Sequence, residues 1–238
     1  SDYKSAYLTV LKDNESDIVN YDLQYPELDS EFSSAYYAKS EVHAKRESEP
    51  VAFADITGDS IPEMFFMACS DGKNSVDASP ELYVYTYSNG KAKNIYDKSK
   101  IEWPPKWDLP NEYFLFKLKD DDSLYVFSIL PSANAWEYYA QYTLGEDGYL
   151  EEIHNWSVGR NNIDEGATAD DAIVNQDGRR IDKSDYEAMK AEWWSNIETL
   201  ILYNGEGADK IESDNSGILK KCVNMTFSDA VDYLESEE

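Results

Sequence analysis

Short runs of β-branched and aromatic residues, many of them alternating with polar ones, fill the middle of the chain. Val51 to Phe53, Met64 to Met67, Leu82 to Tyr87, Tyr113 to Leu118, Leu124 to Leu130, Trp136 to Leu144 and Tyr149 to Trp156 all read as strands. Asn89-Gly90 sits between Leu82–Tyr87 and the segment Lys91 to Tyr96. That pair supplies the positive φ angles of a type I′ turn and predicts a hairpin. Asp120-Asp-Asp122, Pro131 to Asn134 and Glu146-Asp-Gly148 are the other turns. The result is an antiparallel meander of about eight strands over residues 50–158. A small hairpin around Asp177-Gly178 follows, from Ala172 to Ile181.

Helical spacing appears at the two ends. Tyr3, Tyr7, Val10, Leu11 and Ile18 recur at three- and four-residue steps and predict a helix over residues 1–20. Residues 29–49 are polar and Ser-rich and read as a loop. Ser184, with Glu187 three residues on, reads as a cap. The stripe Tyr186, Met189, Trp193, Ile197, Leu200 and Ile201 carries that helix to about residue 201. A short helix after Ser228 turns Val231 and Leu234 inward, so residues 172–236 form the small hairpin plus helices. No stretch rich in Pro, Gly or Ser divides the chain, so residues 1–238 read as a single domain. The fold class is α+β: an antiparallel meander with an N-terminal helix and C-terminal helices packed on it.

Composition removes several partners. The chain carries 48 Asp and Glu against 21 Lys and Arg, a formal charge of −27. A surface of that sign repels nucleic acid and anionic membranes. No run approaches the 18 or so apolar residues of a membrane-spanning helix. Cys69 and Cys222 are the only cysteines, as one long-range disulfide or as two buried thiols, and there is no CxxC. His43 and His154 lie in no zinc-hydrolase motif, and no G-x-S-x-G or phosphate-binding glycine pattern occurs. Among so many acids a glycosidase pair has no distinguishing mark, and Glu137, Glu151 and Glu152 read as a solvated face. The sequence therefore assigns no catalytic residue.

One motif points to specific chemistry. Residues 55 to 63 read Asp-Ile-Thr-Gly-Asp-Ser-Ile-Pro-Glu. Oxygen side chains fall at positions 1, 3, 5 and 9 of this loop, on Asp55, Thr57, Asp59 and Glu63, and the Ile61 carbonyl can serve position 7. Ca²⁺ takes six to eight such oxygens from a flexible loop. Ser60 at position 6 and Phe66 at position 12 argue against an EF-hand. The competing reading is a polar β-turn in which Asp55 and Asp59 satisfy backbone N–H groups.

The loop resembles the D-x-N-G-D-G-x-P-E/D calcium loops of FG-GAP and VCBS-type repeats. The wider chain resembles uncharacterised secreted lipoproteins of Gram-positive gut anaerobes. Four segments carry that likeness: Tyr3 to Tyr7, Val51 to Met64, Leu82 to Gly90 and Asp177 to Glu187. The resemblance implies export to the cell surface or medium, with a signal or lipid-anchor segment removed, and it implies no activity.

Aromatic residues supply the remaining candidates. Six tryptophans and 19 tyrosines are available, and sugar rings stack on exposed aromatic faces. Trp103 and Trp107, in the Pro-flanked Trp103-Pro-Pro-Lys-Trp107, and Trp136 are the candidate glycan contacts. Tyr138 and Tyr142 share a strand face with Trp136, and Tyr83, Tyr85 and Tyr87 share another. The leading expectation is an exported acidic binding or scaffold protein of unknown ligand, stabilised by one structural Ca²⁺. A carbohydrate-binding module is the alternative, and a glycan hydrolase with an unidentified carboxylate pair is the second alternative. Its partner is then a glycan or a cell-surface component.

Overall fold

Asn89 and Gly90 both take positive φ, 53° and 79°, and so do Asp177 and Gly178, at 48° and 75°. These are the left-handed conformations a tight hairpin turn requires, and Asn, Asp and Gly reach them at least cost. A computed structural model describes residues 2–18, 49–68, 81–97, 112–130, 136–160, 172–204 and 217–236. The first hairpin joins β3 (Glu81–Ser88) to β4 (Lys91–Asn94), and the second joins β9 (Ala172–Gln176) to β10 (Arg179–Ile181).

The α+β class and the antiparallel pairing stand as expected, but the strands divide between two sheets. The first has five strands. β1 (Val51–Ala54), β2 (Glu63–Ala68), β3 and β4 run as a meander, and β12 (Asn224–Met225) adds to the outer edge of β1. The second has seven strands. β5 (Glu112–Leu118), β6 (Leu124–Leu130), β7 (Trp136–Leu144), β8 (Leu150–Arg160), β9 and β10 follow in order, and β11 (Ile197–Asn204) flanks β5.

Alternation explains how the sheets stack. Ala52, Ala54, Phe65, Met67, Leu82 and Val84 project to one side of the first sheet and meet Leu115, Val126 and Ala140 of the second. Val51, Met64, Phe66 and Ala68 project to the other side, under α1 (Asp2–Asp13) and α3 (Phe227–Glu235). The far face of the second sheet, with Phe114, Phe116, Phe127 and Tyr139, lies under α2 (Lys183–Asn196). The order of layers is helices, sheet, sheet, helix. A strand covered on both sides has no reason to alternate with polar residues. β2 reads Glu-Met-Phe-Phe-Met-Ala and is buried at all six positions.

The two ends of the chain meet in the outer helical layer. Lys4 is almost fully buried and lies 4.9 Å from the Tyr233 ring centroid, with Nζ donating to the Ser236 carbonyl at 3.3 Å. Lys12 and Glu235 pair at 2.7 Å.

Several local expectations are corrected. The helix expected to run from Ser184 through Ile201 stops at Asn196, and residues 197–204 are a strand. β11 pairs with β5 through two register shifts, one between Ile197 and Thr199 and one between Leu200 and Leu202. Each shift interrupts the two-residue alternation, so apolar residues at 197, 200 and 201 imitate the three- and four-residue steps of a helix. The cap position of α2 is Asp182, with no side-chain cap bond, and not Ser184. In α3 the cap is Thr226, whose hydroxyl accepts from the Asp229 N–H at 3.1 Å, and the helix begins at Phe227. Ala230 and Leu234 are its fully buried residues, while Val231 is half-buried. Residues 29–48, Cys69 and His43 lie outside the described residues. The Cys222 thiol donates to Asn224 Oδ1. No described helix is long and apolar enough to cross a membrane.

Candidate functional site

Ala54 and Glu63 are partners in the β1–β2 ladder, so residues 55–62 form the loop between two strands. Gly58 and Ser60 take positive φ there, 76° and 68°. A serine in the left-handed region costs about 1 kcal/mol relative to glycine. Side-chain bonds hold it there. Asp55 Oδ1 accepts from the N–H groups of Thr57 at 3.2 Å and Gly58 at 2.7 Å, and Oδ2 accepts from the Ser60 N–H at 3.0 Å. Asp59 Oδ1 accepts from the Ile61 N–H at 2.8 Å. Asp55 is therefore the organising acceptor of the turn.

Glu63 points the other way, into the space between the sheets, and is 0% exposed. Its Oε2 accepts from the Ile56 N–H at 2.9 Å. Its Oε1 accepts from Thr57 Oγ1 at 3.1 Å and Thr86 Oγ1 at 2.9 Å. Burial pushes its carboxyl above the ordinary range; the three hydrogen bonds pull it down, and the charge of Asp59 adds a smaller upward push.

The second sheet closes the loop from outside. Lys117, on β5, donates from Nζ to the Asp55 carbonyl at 2.8 Å and reaches Asp122 Oδ1 at 3.4 Å. Its side chain is only 13% exposed. Asp122, in the β5–β6 turn, lies so close to Gly58 that a Cβ there would come within 2.9 Å of its Oδ2. The loop is thus a contact between the two sheets, made by one ammonium and one close backbone approach.

Of the five residues assigned to a metal, Asp55, Thr57, Asp59 and Glu63 each place side-chain oxygens in hydrogen bonds of this loop, and Ile61 is held through its N–H. Asp55 faces the loop backbone and Glu63 the interior. Among the described residues no three His, Cys, Asp or Glu side chains converge as metal ligands would. Sequence reasoning missed Thr86, Lys117 and Asp122. Two of them left a signal. Lys117 is a charge inside the apolar run Tyr113 to Leu118, and Thr86 stands on the inward side of β3 in phase with Leu82 and Val84.

The aromatic candidates separate differently. Trp103 and Trp107 lie outside the described residues. Trp136 begins β7 opposite Leu130, and its side chain lies outside them as well. Tyr83, Tyr85 and Tyr87 do not form an open platform: they pack in the seam with α1, where the Phe66 ring stacks on Tyr83 at 4.9 Å. Trp156, Trp193 and Trp194 are buried beneath or within α2. Glu137 is not solvated as expected. It accepts from Tyr186 Oη at 2.9 Å and Lys190 Nζ at 3.3 Å at the edge of the α2 layer. His154 Nδ1 pairs with Asp177 Oδ2 at 2.9 Å across the β8–β9 edge.

No family model matches the chain, and no curated protein or solved structure matches it.

Proposed function

We propose that this is an exported, acidic binding or scaffold protein in which the Asp55–Glu63 loop is a structural joint between the two sheets. The observation that carries the reading is the engagement of the loop carboxylates. Asp55 holds three backbone N–H groups and Glu63 is buried under three donors. Groups arranged this way stabilise a turn, and they present no free acid–base pair to a substrate. Lys117 supplies a cation at the joint, on the Asp55 carbonyl and beside Asp122. Export rests on the resemblance of the four chain segments to secreted lipoproteins.

The test is a set of thermal melts on wild type and Asp55→Ala, each in excess Ca²⁺ and in EDTA. Loss of three acceptor bonds should lower the melting temperature by several degrees, to the same extent in both buffers. An unchanged melting temperature in Asp55→Ala would overturn the structural role. A wild-type melting temperature that rises in Ca²⁺, and loses that rise in Asp59→Ala, would replace the ammonium-closed joint with a Ca²⁺-closed one held by Asp55, Thr57, Asp59, Ile61 and Glu63.

A further inference from the structure

Ser128 breaks the apolar pattern of β6 and is 0% exposed, and its Oγ has no hydrogen-bond partner. Buried hydroxyls are normally satisfied, so this serine stands out at the inner end of a polar row. Its neighbours across the sheet are unusual too. The ladder places Tyr113, Ser128, Tyr138, Ser157, Asn175 and Arg180 in one row on one face, running from the core to the edge strand.

The inter-sheet core covers only part of this face. Among the described residues it draws on β5, β6, β7 and β11, and from β8 on Leu150 alone. Beyond it the face turns polar. Tyr138, Asn155, Ser157 and Asn175 are half-buried, and Glu152 and Arg180 are exposed. Ile153, the extra residue of a β-bulge opposite Gln141 and Tyr142, brings Glu152 onto the same face as Tyr142.

Glu152 is held in place. Its Oε2 accepts from Tyr138 Oη at 2.9 Å and Tyr142 Oη at 3.1 Å, and its Oε1 accepts from Asn155 Nδ2 at 2.7 Å. Burial, reinforced by Glu152, pushes both phenols well above their ordinary range, so they remain protonated donors. The result is a fixed carboxylate with open lone pairs, beside amides, hydroxyls and the flank of a tyrosine ring. Hydroxyl groups are the complementary ligand chemistry: each donates to a carboxylate or amide oxygen and accepts from an amide or hydroxyl. A net charge of −27 works against an anionic ligand.

We propose that the face bearing Tyr138, Glu152, Asn155, Ser157 and Asn175 is a binding site for a neutral glycan chain. This rests on the binding-protein reading above and gives it a site and a ligand class. Glu152 and Asn155 take up sugar hydroxyls, and Tyr138 supplies the apolar flank.

Calorimetry with cellohexaose, xylohexaose and mannohexaose as probes tests it. At least one should bind, with Glu152→Gln and Asn175→Ala each weakening binding tenfold or more. Heat from none of the three probes would overturn the proposal, and so would binding that Glu152→Gln and Asn175→Ala both leave unchanged. Cleavage of a bound probe, followed by chromatography, would leave the site standing and overturn the non-catalytic reading.

Discussion

The Asp55–Glu63 loop and the Tyr138–Arg180 face are both polar places in an acidic protein, and they handle their polar groups in opposite ways. In the loop every assigned carboxylate bonds to a donor supplied by the chain, and a lysine from the other sheet sits against the backbone carbonyl. On the face, Glu152 is oriented by three donors yet exposed, and Ser128 is buried without any partner. A polar group satisfied internally contributes to the fold. An exposed polar group fixed but left with open capacity, as Glu152 is, is available to a ligand. Acid density alone does not separate the two cases; the destination of each lone pair does.

The largest expected break of this contrast is Glu63→Ala. It leaves the Ile56 N–H and the Thr57 and Thr86 hydroxyls without their acceptor in a buried place, at a cost of about 3 kcal/mol. Chemical denaturation measures it. Asn175→Ala, on the face, should stay within about 0.5 kcal/mol of wild type by the same measurement.

Next in size is Gly58→Ala, expected to cost about 1–2 kcal/mol. One part is its φ of 76°, and the other is the approach of Asp122 to 2.9 Å of the added Cβ. The double variant with Asp122→Ala should recover the second part and not the first. Ser60→Gly has the opposite sign and should stabilise by about 0.5 kcal/mol, since it relieves a positive φ while adding freedom to the unfolded chain.

The pH dependence sharpens the comparison further. Glu63 has a folded-state pKa raised above its unfolded value, because burial disfavours the charged form. The folded protein then binds the proton more tightly than the unfolded one. Stability contributed by this group is present below the unfolded pKa of about 4.3 and is lost as pH rises through the higher folded value. Denaturation across that window should show wild type losing stability with rising pH relative to Glu63→Gln. A flat difference between the two would place Glu63 in water. Asp177 behaves in the reverse sense. The Asn155 N–H and His154 hold it below its ordinary value, so its smaller contribution is lost as pH falls through the depressed one.

Much of this fold was legible in the sequence because its signals are local. Asn89-Gly90 and Asp177-Gly178 name their own turn geometry, and the strand runs around them set the antiparallel class. The division into two sheets was not legible. β2 is apolar on both faces from Met64 to Ala68, and no run of five apolar residues states whether a helix or a second sheet covers it. β11 was misread because two register shifts place its apolar residues at helical spacing. The loop acids were visible as a pattern, but their partners were not. Thr86 and Lys117 come from strands 23 and 62 residues away from the groups they contact, and such pairings are decided by sheet packing. The polar face was hidden for the same reason: Ser128, Ser157 and Asn175 are scattered in sequence and aligned only by the ladder.

The central claim is that the loop is closed by its own carboxylates. Amide hydrogen exchange at Ile56, Thr57, Gly58, Ser60 and Ile61 tests it most directly, since these are the N–H groups the acids hold. The account predicts slow exchange at all five in EDTA, although Gly58 and Ser60 are exposed, with no change on adding Ca²⁺. Rapid exchange in EDTA that becomes slow in Ca²⁺ would contradict it.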